Sequence, residues 1–315
     1  MSRPTILRVP PLSPPLHDAV GERYDAVDLA DLDTRAEDVV GIVCSNTGTV
    51  AGELIESLPR LGVIANHGVG YDNIDVPAAL ARGIAVSNTP EVLDAAVAET
   101  ALALLLAVRR QLVVADRFVR DGRWLHGAFP LTDQVSGSRV GIVGLGRIGR
   151  AVAERLEAFG CTVSYHNRRR VPSVSYAYAA SPRELAAAVD SLIVVVPGGG
   201  DTAALVDREV LDALGPDGVL VNIARGSVVD QPALVAALRE GRLGGAGLDV
   251  YADEPQVPAE LTAMDQVVLL PHVGSATHPT RAAMRELTLA NLDSWLADGT
   301  LRTPIPEMAR PASNA

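Results

Sequence analysis

Apolar positions along the chain fall into two alternating kinds of run. Short blocks, mostly β-branched, predict buried strands: Thr5 to Val9, Gly41 to Cys44, Val63 to Ala65, Ala85-Val86, Val140 to Val143, Thr162 to His166, Ser191 to Val196, Val219 to Ile223, Ala246 to Val250 and Val267 to Leu270. Between them, apolar residues three and four apart predict helices over Ala51–Leu58, Val76–Ala81, Ala151–Phe159, Pro232–Glu240 and Arg281–Ala297. The longest helical stretch, Ala95–Val119, carries Leu102, Leu105, Leu106, Val108, Leu112 and Phe118, and its first half is apolar nearly all round. Such a helix belongs in a core or an interface. Pro10, Pro11, Pro14 and Pro15 predict a loop after the first strand, and Pro304, Pro306 and Pro311 a loose tail. Strands alternating with helices imply α/β architecture with parallel sheets covered on both faces.

Glycine modifies this pattern most at Arg139-Val-Gly-Ile-Val-Gly-Leu-Gly-Arg-Ile-Gly-Arg150. Gly144, Gly146 and Gly149 lie on a strand-to-helix turn, the context of a dinucleotide fingerprint. Gly144 permits the tight turn, Gly146 lets a pyrophosphate approach the backbone, and Gly149 lets the helix pack close to its strand. Gly160 suits the left-handed cap at the helix end. The next strand runs into Asn167-Arg168-Arg169-Arg170, with no acidic residue until Glu184. NAD sites place a carboxylate there for the ribose 2′-hydroxyl, whereas guanidinium groups grip a 2′-phosphate. NADP(H) is therefore expected over NAD(H); a merely solvated basic loop is the competing reading.

At 315 residues the chain is long enough for two domains. A formal charge of −11 argues against nucleic-acid and anionic-membrane partners. All 27 basic residues are arginines, so Schiff-base, pyridoxal-phosphate and Walker-A lysines are excluded. The two cysteines, Cys44 and Cys161, lack a CxxC pattern and suit thiols of a reducing compartment. With no signal-peptide core and no apolar run long enough to span a bilayer, a cytoplasmic protein is expected. No metal ligands are assigned.

In parallel sheets ligands bind beyond the carboxyl ends of the strands. Three such loops carry an ionisable residue of note. Arg225, in Ile-Ala-Arg-Gly-Ser, can bind a carboxylate and polarise a neighbouring carbonyl, or form a structural ion pair. His272, in Leu-Pro-His-Val-Gly-Ser, can exchange a proton near neutrality, although five other histidines compete on composition alone. Glu254, in Tyr-Ala-Asp-Glu-Pro, would favour the charged form of an adjacent imidazole; by itself it reads as a surface glutamate, with Asp253 as the alternative. The loop His67-Gly-Val-Gly70 offers consecutive backbone amides to an anion.

Taken in order, His67-Gly-Val-Gly-Tyr-Asp-Asn-Ile-Asp75, Ser87-Asn-Thr-Pro90, Ala98-Glu-Thr-Ala101, Gly144–Gly149, Asn222–Ser227, Gly245–Val250, Asp253-Glu-Pro255 and Pro271–Ser275 resemble the D-2-hydroxyacid dehydrogenase family over roughly residues 40 to 305. The resemblance implies two Rossmann-like domains, with a nucleotide-binding domain of residues 96–284 inserted into a discontinuous, flavodoxin-like substrate domain of residues 1–95 and 285–315. It assigns Arg225 to the substrate carboxylate and carbonyl, His272 to proton donation, and Glu254 to orienting His272. Val69 and Gly70 would offer amides to the carboxylate, and Asn46, Leu93 and Trp124 would lie near the pocket walls. Arg147 and Ile148 fall at the pyrophosphate, Asn167, Arg168 and Arg169 at the adenosine ribose. Val196, Pro197, Thr202, Ile223, Ala224, Asp249 and Gly274 would line the cofactor with Arg225 and His272.

Within the family the chain is most similar to NADPH-dependent glyoxylate/hydroxypyruvate and hydroxyphenylpyruvate reductases. The expected reaction is reduction of a small 2-oxo acid to the D-2-hydroxy acid by a homodimer joined through the long helix near Ala98. The alternatives are an NAD-dependent or phosphoglycerate-type dehydrogenase and a nucleotide-sensing corepressor. Glu254 argues against the formate dehydrogenase branch, which pairs the histidine with glutamine, and no regulatory domain of the long phosphoglycerate type is expected. One departure is Val195-Val-Pro-Gly-Gly-Gly200, which lacks the family's polar residue before the proline.

Overall fold

The computed structural model describes residues 3–309. In chain order the first elements are β1 (Thr5–Val9), α1 (Pro14–Arg23), β2 (Asp25–Asp28), β3 (Val39–Ser45), α2 (Gly52–Glu56), β4 (Val63–His67), α3 (Val76–Ala81) and β5 (Ala85–Ser87). Next come α4 (Asp94–Arg109), α5 (Leu112–Arg120), β6 (Arg139–Val143), α6 (Arg147–Ala158), β7 (Thr162–His166), β8 (Ala177–Tyr178), α7 (Pro182–Ala187), β9 (Ser191–Val194) and α8 (Arg208–Leu214). The remainder are β10 (Val219–Asn222), α9 (Gln231–Arg239), β11 (Gly245–Leu248), α10 (Ala259–Thr262), β12 (Val267–Leu269) and α11 (His278–Asp298). Two compact units divide at Leu93/Asp94 and at Ala276/Thr277, so the second division falls ahead of α11.

In the first unit five parallel strands run in the order β2-β1-β3-β4-β5. Alternation along the strands serves two cores. Ile6, Val43, Val63 and Ala65 pack with Leu16 and Val20 of α1 and with Leu289 and Leu292 of α11. Their neighbours Leu7, Ile42, Cys44 and Ile64 face Ile55, Leu58, Ala79 and Ile84 on the other side. Strand alternation of this kind is what covers both faces of a parallel sheet.

Two expectations for this unit are corrected, and one strand in it went unpredicted. The segment after β1 is not all loop, because α1 starts at Pro14, where a missing N–H costs a helix nothing. Strand β2 carries two aspartates and buries only Val27 fully, so it lacks an apolar run; short, charged edge strands look like this. The tail is not loose as far as it is described: Ile305 is buried and its N–H donates to the Val86 carbonyl. Pro311 lies outside the described residues.

In the second unit seven parallel strands run in the order β12-β11-β10-β9-β6-β7-β8. The chain winds outward from β6 through β7 and β8, then restarts at β9 on the other side. That reversal opens a crevice at the carboxyl ends of β6 and β9. One face packs against Leu185, Val210, Leu211, Leu234 and Leu238 of α7 to α9. On the other, α4 lies over β10 and β11. Gly245 and Gly247 make this approach possible, since a Cβ there would meet Val108 at 2.7 Å and Leu104 at 2.9 Å.

The long helix predicted over Ala95–Val119 is two helices. Arg109 turns its guanidinium inward, onto the Ser191 hydroxyl and the Asp190 and Asp217 carbonyls, and Gln111 takes a φ of 48° before α5 begins. No glycine or proline marks this break, so periodicity ran through it. The large exposed apolar residues of this unit lie beyond it, at Leu112, Val113, Val119, Trp124, Leu125 and Leu131.

Candidate active site

Every strand of the second sheet ends on the same edge, and the loops leaving that edge hold the ionisable residues named above. The glycine turn after β6 has the geometry a pyrophosphate requires. Gly144 has a φ of 105°, and a Cβ there would sit 2.9 Å from the Val195 and Val196 backbone. A Cβ on Gly149 would overlap the Gly144 carbonyl, so the helix is seated directly on the turn, whereas the space around Gly146 is open. No side chain caps the start of α6, whose twelve residues aim their first N–H groups at this opening. Asn167 ties the following strand to the turn, its Oδ1 accepting from the Leu145 N–H at 2.6 Å. These residues fit a dinucleotide.

Arg168 follows β7 and pairs with Asp201 at 3.2 Å, both side chains 83% exposed. Arg147, at the start of α6, lies 3.5 Å from Asp94. Val196 and Pro197 leave β9, and the Thr202 hydroxyl donates to the Pro197 and Gly199 carbonyls, holding the glycine loop in a turn. Ile223 and Ala224 are buried beyond β10.

Arg225 is braced by a buried asparagine. Asn222 Nδ2 donates to the Arg225 carbonyl while its Oδ1 accepts from the Ala224 N–H. An asparagine bonding the backbone two and three residues on is a local turn device, and it sets where Arg225 leaves the strand. Gly226 then lets the chain touch the loop after β11, because a Cβ there would overlap the Tyr251 carbonyl and the Ala252 nitrogen.

That loop carries Glu254. Its Oε1 accepts from the Tyr251 N–H at 3.1 Å, and its Oε2 lies 2.7 Å from His272 Nδ1. Burial would raise the Glu254 carboxyl, but the hydrogen bond and charge of His272, the Tyr251 amide and the Arg225 charge outweigh it and hold it below the usual range. An ionised carboxylate offers only lone pairs, so Nδ1–H is the donor and proton exchange with a ligand falls to Nε2.

His272 has a φ of 53°, a sparsely populated conformation for a residue with a Cβ. Asp249 holds it there. The Asp249 carbonyl accepts from the His272 N–H at 2.9 Å, and its carboxylate accepts from Val273 and Gly274 at 2.7 and 2.8 Å. Burial pushes the Asp249 carboxyl up, against the two amides and His272, which hold it down. Bracing of the histidine loop by Asp249, and of Arg225 by Asn222, was not evident from sequence. The only signal was an Asp or Asn at the carboxyl end of a buried strand.

In the first unit Val69 and Gly70 follow β4, half-buried, while Asn46 follows β3 and Leu93 is buried. Trp124, in the second unit, is 67% exposed.

A glycine turn for a dinucleotide, with an imidazole–carboxylate pair and an arginine on the same sheet edge, defines a nicotinamide-dependent oxidoreductase of carbonyl and hydroxyl groups. The model of the D-isomer specific 2-hydroxyacid dehydrogenase NAD-binding domain matches residues 102–274, more than half of the chain. The chain is 48% identical over 271 residues to a hydroxyphenylpyruvate reductase of Plectranthus scutellarioides, covering 86% of this chain and 87% of that one. It is 46% identical over 274 residues to a glyoxylate/hydroxypyruvate reductase A of Arabidopsis thaliana, covering 87% and 88%. Among solved structures, an NADPH-dependent glyoxylate/hydroxypyruvate reductase from Sinorhizobium meliloti, in complex with NADP and malonate, matches all of both chains with a TM-score of 0.93 and 44% identity. The protein belongs to the D-2-hydroxyacid dehydrogenase family. It is an NAD(P)-dependent oxidoreductase. Among the described residues no helix is long and apolar enough to cross a membrane.

Proposed function

We propose that this enzyme uses NADPH to reduce a small 2-oxo acid, of the glyoxylate, hydroxypyruvate or aryl-pyruvate kind, to the D-2-hydroxy acid. The observation that carries this reading is the 2.7 Å pair of His272 and Glu254, at the sheet edge that also bears Arg225 and the glycine turn. The names of the most similar relatives support the substrate class, and the NADP complex of the Sinorhizobium enzyme supports the cofactor.

Gly144, Gly146, Arg147, Ile148 and Gly149 would hold the pyrophosphate, and Asn167, Arg168 and Arg169 the 2′-phosphorylated ribose. When bound, the reduced nicotinamide supplies a hydride to the keto carbon. Arg225 holds the substrate carboxylate and stabilises charge growing on the carbonyl oxygen. His272 Nε2 delivers the proton to that oxygen, and Glu254 keeps the ring oriented and its charge balanced. The Val69 and Gly70 amides are assigned to the carboxylate on the family resemblance. Cytoplasmic location and a homodimer complete the reading. The dimer surface is better matched by the exposed apolar residues of 112–131 than by α4, most of whose apolar side chains are already buried.

NADPH oxidation with glyoxylate, hydroxypyruvate, phenylpyruvate and 4-hydroxyphenylpyruvate tests the proposal and ranks the acids. Absence of turnover with all four would overturn it.

A further inference from the structure

Gly68-Val-Gly70 is held from beneath by two buried asparagines. Asn66, 1% exposed, donates through Nδ2 to the Gly68 carbonyl at 3.2 Å and the Gly70 carbonyl at 2.8 Å. Asn88, 7% exposed, donates through Nδ2 to the Val69 carbonyl at 2.9 Å. The Thr89 N–H adds a second bond to the Gly68 carbonyl at 2.9 Å. All three successive carbonyls of the loop are thus tied toward the body of the first unit.

A trans peptide is planar, so the carbonyl of one residue and the N–H of the next point in opposite directions. Tying the Gly68 carbonyl inward turns the Val69 N–H outward, and tying the Val69 carbonyl inward does the same for the Gly70 N–H. These are the two amides that the proposed function gives to the substrate carboxylate, and this inference rests on that reading.

The clamp is itself anchored. The Thr303 hydroxyl donates to the Asn88 carbonyl at 2.6 Å and accepts from Asn291 Nδ2 of α11 at 2.8 Å. Asn291 Oδ1 accepts from the Arg302 and Thr303 N–H groups, each at 2.9 Å. Asn66 Oδ1 in turn accepts from the Cys44 thiol at 3.6 Å. We propose that Asn66 and Asn88 are positioning residues for substrate: they set the direction of the Val69 and Gly70 amides, with Thr303 and Asn291 holding Asn88 in place. Neither asparagine touches the reacting atoms. Their contribution is preorganisation, which appears as affinity for the carboxylate and not as chemistry.

The test compares Asn88→Asp, Asn88→Ala, Asn66→Ser and Thr303→Val with the parent, at saturating NADPH. Asn88→Asp keeps shape but cannot donate to the Val69 carbonyl. Losing one such bond should raise KM for glyoxylate and hydroxypyruvate about five- to tenfold. The turnover number should stay within about twofold and the calorimetric Kd for NADPH unchanged, since neither depends on the loop. Thr303→Val should show a smaller rise of the same kind. Thermal melting confirms folding, and if Asn66→Ser does not fold, the Asn88 pair carries the test. An unmoved KM in folded Asn88 variants overturns the inference. So does a parallel loss of turnover and NADPH binding, the mark of general disturbance. A parent enzyme inactive on these acids removes both this inference and the proposed function; an active parent with unmoved variants removes this inference alone.

Discussion

His272 Nδ1 and Glu254 Oε2 are 2.7 Å apart, joined across the ends of two neighbouring parallel strands, β11 and β12. The pair is reached through Asp249, which bonds His272, Val273 and Gly274 in succession and so sets the ring's approach to Glu254.

Removing the charge from this pair tests its role. Glu254→Gln keeps the shape and one acceptor but not the carboxylate, which is held ionised below its usual range. Turnover with a 2-oxo acid should fall by roughly a hundredfold, the scale of general acid–base catalysis. The parent's rate should also fall at low pH as this carboxylate takes up a proton, and the variant, with no proton to gain there, should lose that limb. A pH profile of the same shape and position as the parent's would dismiss the pairing.

Cofactor choice is assigned to the arginines after β7. Arg168 already holds an anion, the Asp201 carboxylate, at 3.2 Å; with both groups so exposed the pair is weak and easily exchanged for a phosphate. Arg168→Asp should raise KM for NADPH at least about tenfold, the loss of a charge-assisted bond, while leaving NADH little changed. Equal effects on the two cofactors, or no preference in the parent, would refute the assignment.

The pH dependence of stability should report His67. Burial pushes its imidazole down from 6.5 to about 4, with Arg281 and Arg285 adding to the effect and a backbone contact at Met284 opposing it. The folded ring thus stays neutral where the unfolded one takes up a proton. Stability from this group is complete above the unfolded value and is lost as pH falls from 6.5 toward 4, by at most about 3 kcal/mol. Chemical denaturation at a series of pH values should show that fall, and His67→Gln should flatten it. An equally steep fall in the variant would assign the loss to other groups.

Leu112, Val113, Val119, Trp124, Leu125 and Leu131 expose a cluster of apolar side chains within one twenty-residue stretch of the second unit, with Leu131 fully exposed. Patches of this kind mark association surfaces. Leu125→Arg should shift a dimer toward monomer in sedimentation velocity without lowering the melting temperature of the monomer. A parent already monomeric would reject the dimer.

Local signals carried most of the reading from sequence. The glycine turn between β6 and α6 was legible because strand, turn and helix each announce themselves within a few residues, and α3 was legible from its proline and its apolar spacing. The three ionisable residues stood out by their position after buried strands. What the sequence hid depends on distant partners. The break at Gln111 follows from where Arg109 finds carbonyls some eighty residues away. Strand β2 exists because β1 offers it an edge. The work of Asn222, Asp249, Asn66 and Asn88 is done through backbone groups, which no side-chain pattern displays.

The contact at Gly226 links two loops that otherwise belong to different strands. With main chain lying on main chain at Tyr251 and Ala252, there is no room for a side chain and little slack for either loop to shift alone. Arg225 and Glu254 therefore inherit their spacing from the backbone contact at Gly226. Transplanting this chemistry into a related scaffold means moving segments 222–226 and 249–254 as one piece; exchanging the charged residues singly leaves the recipient's own spacing in force.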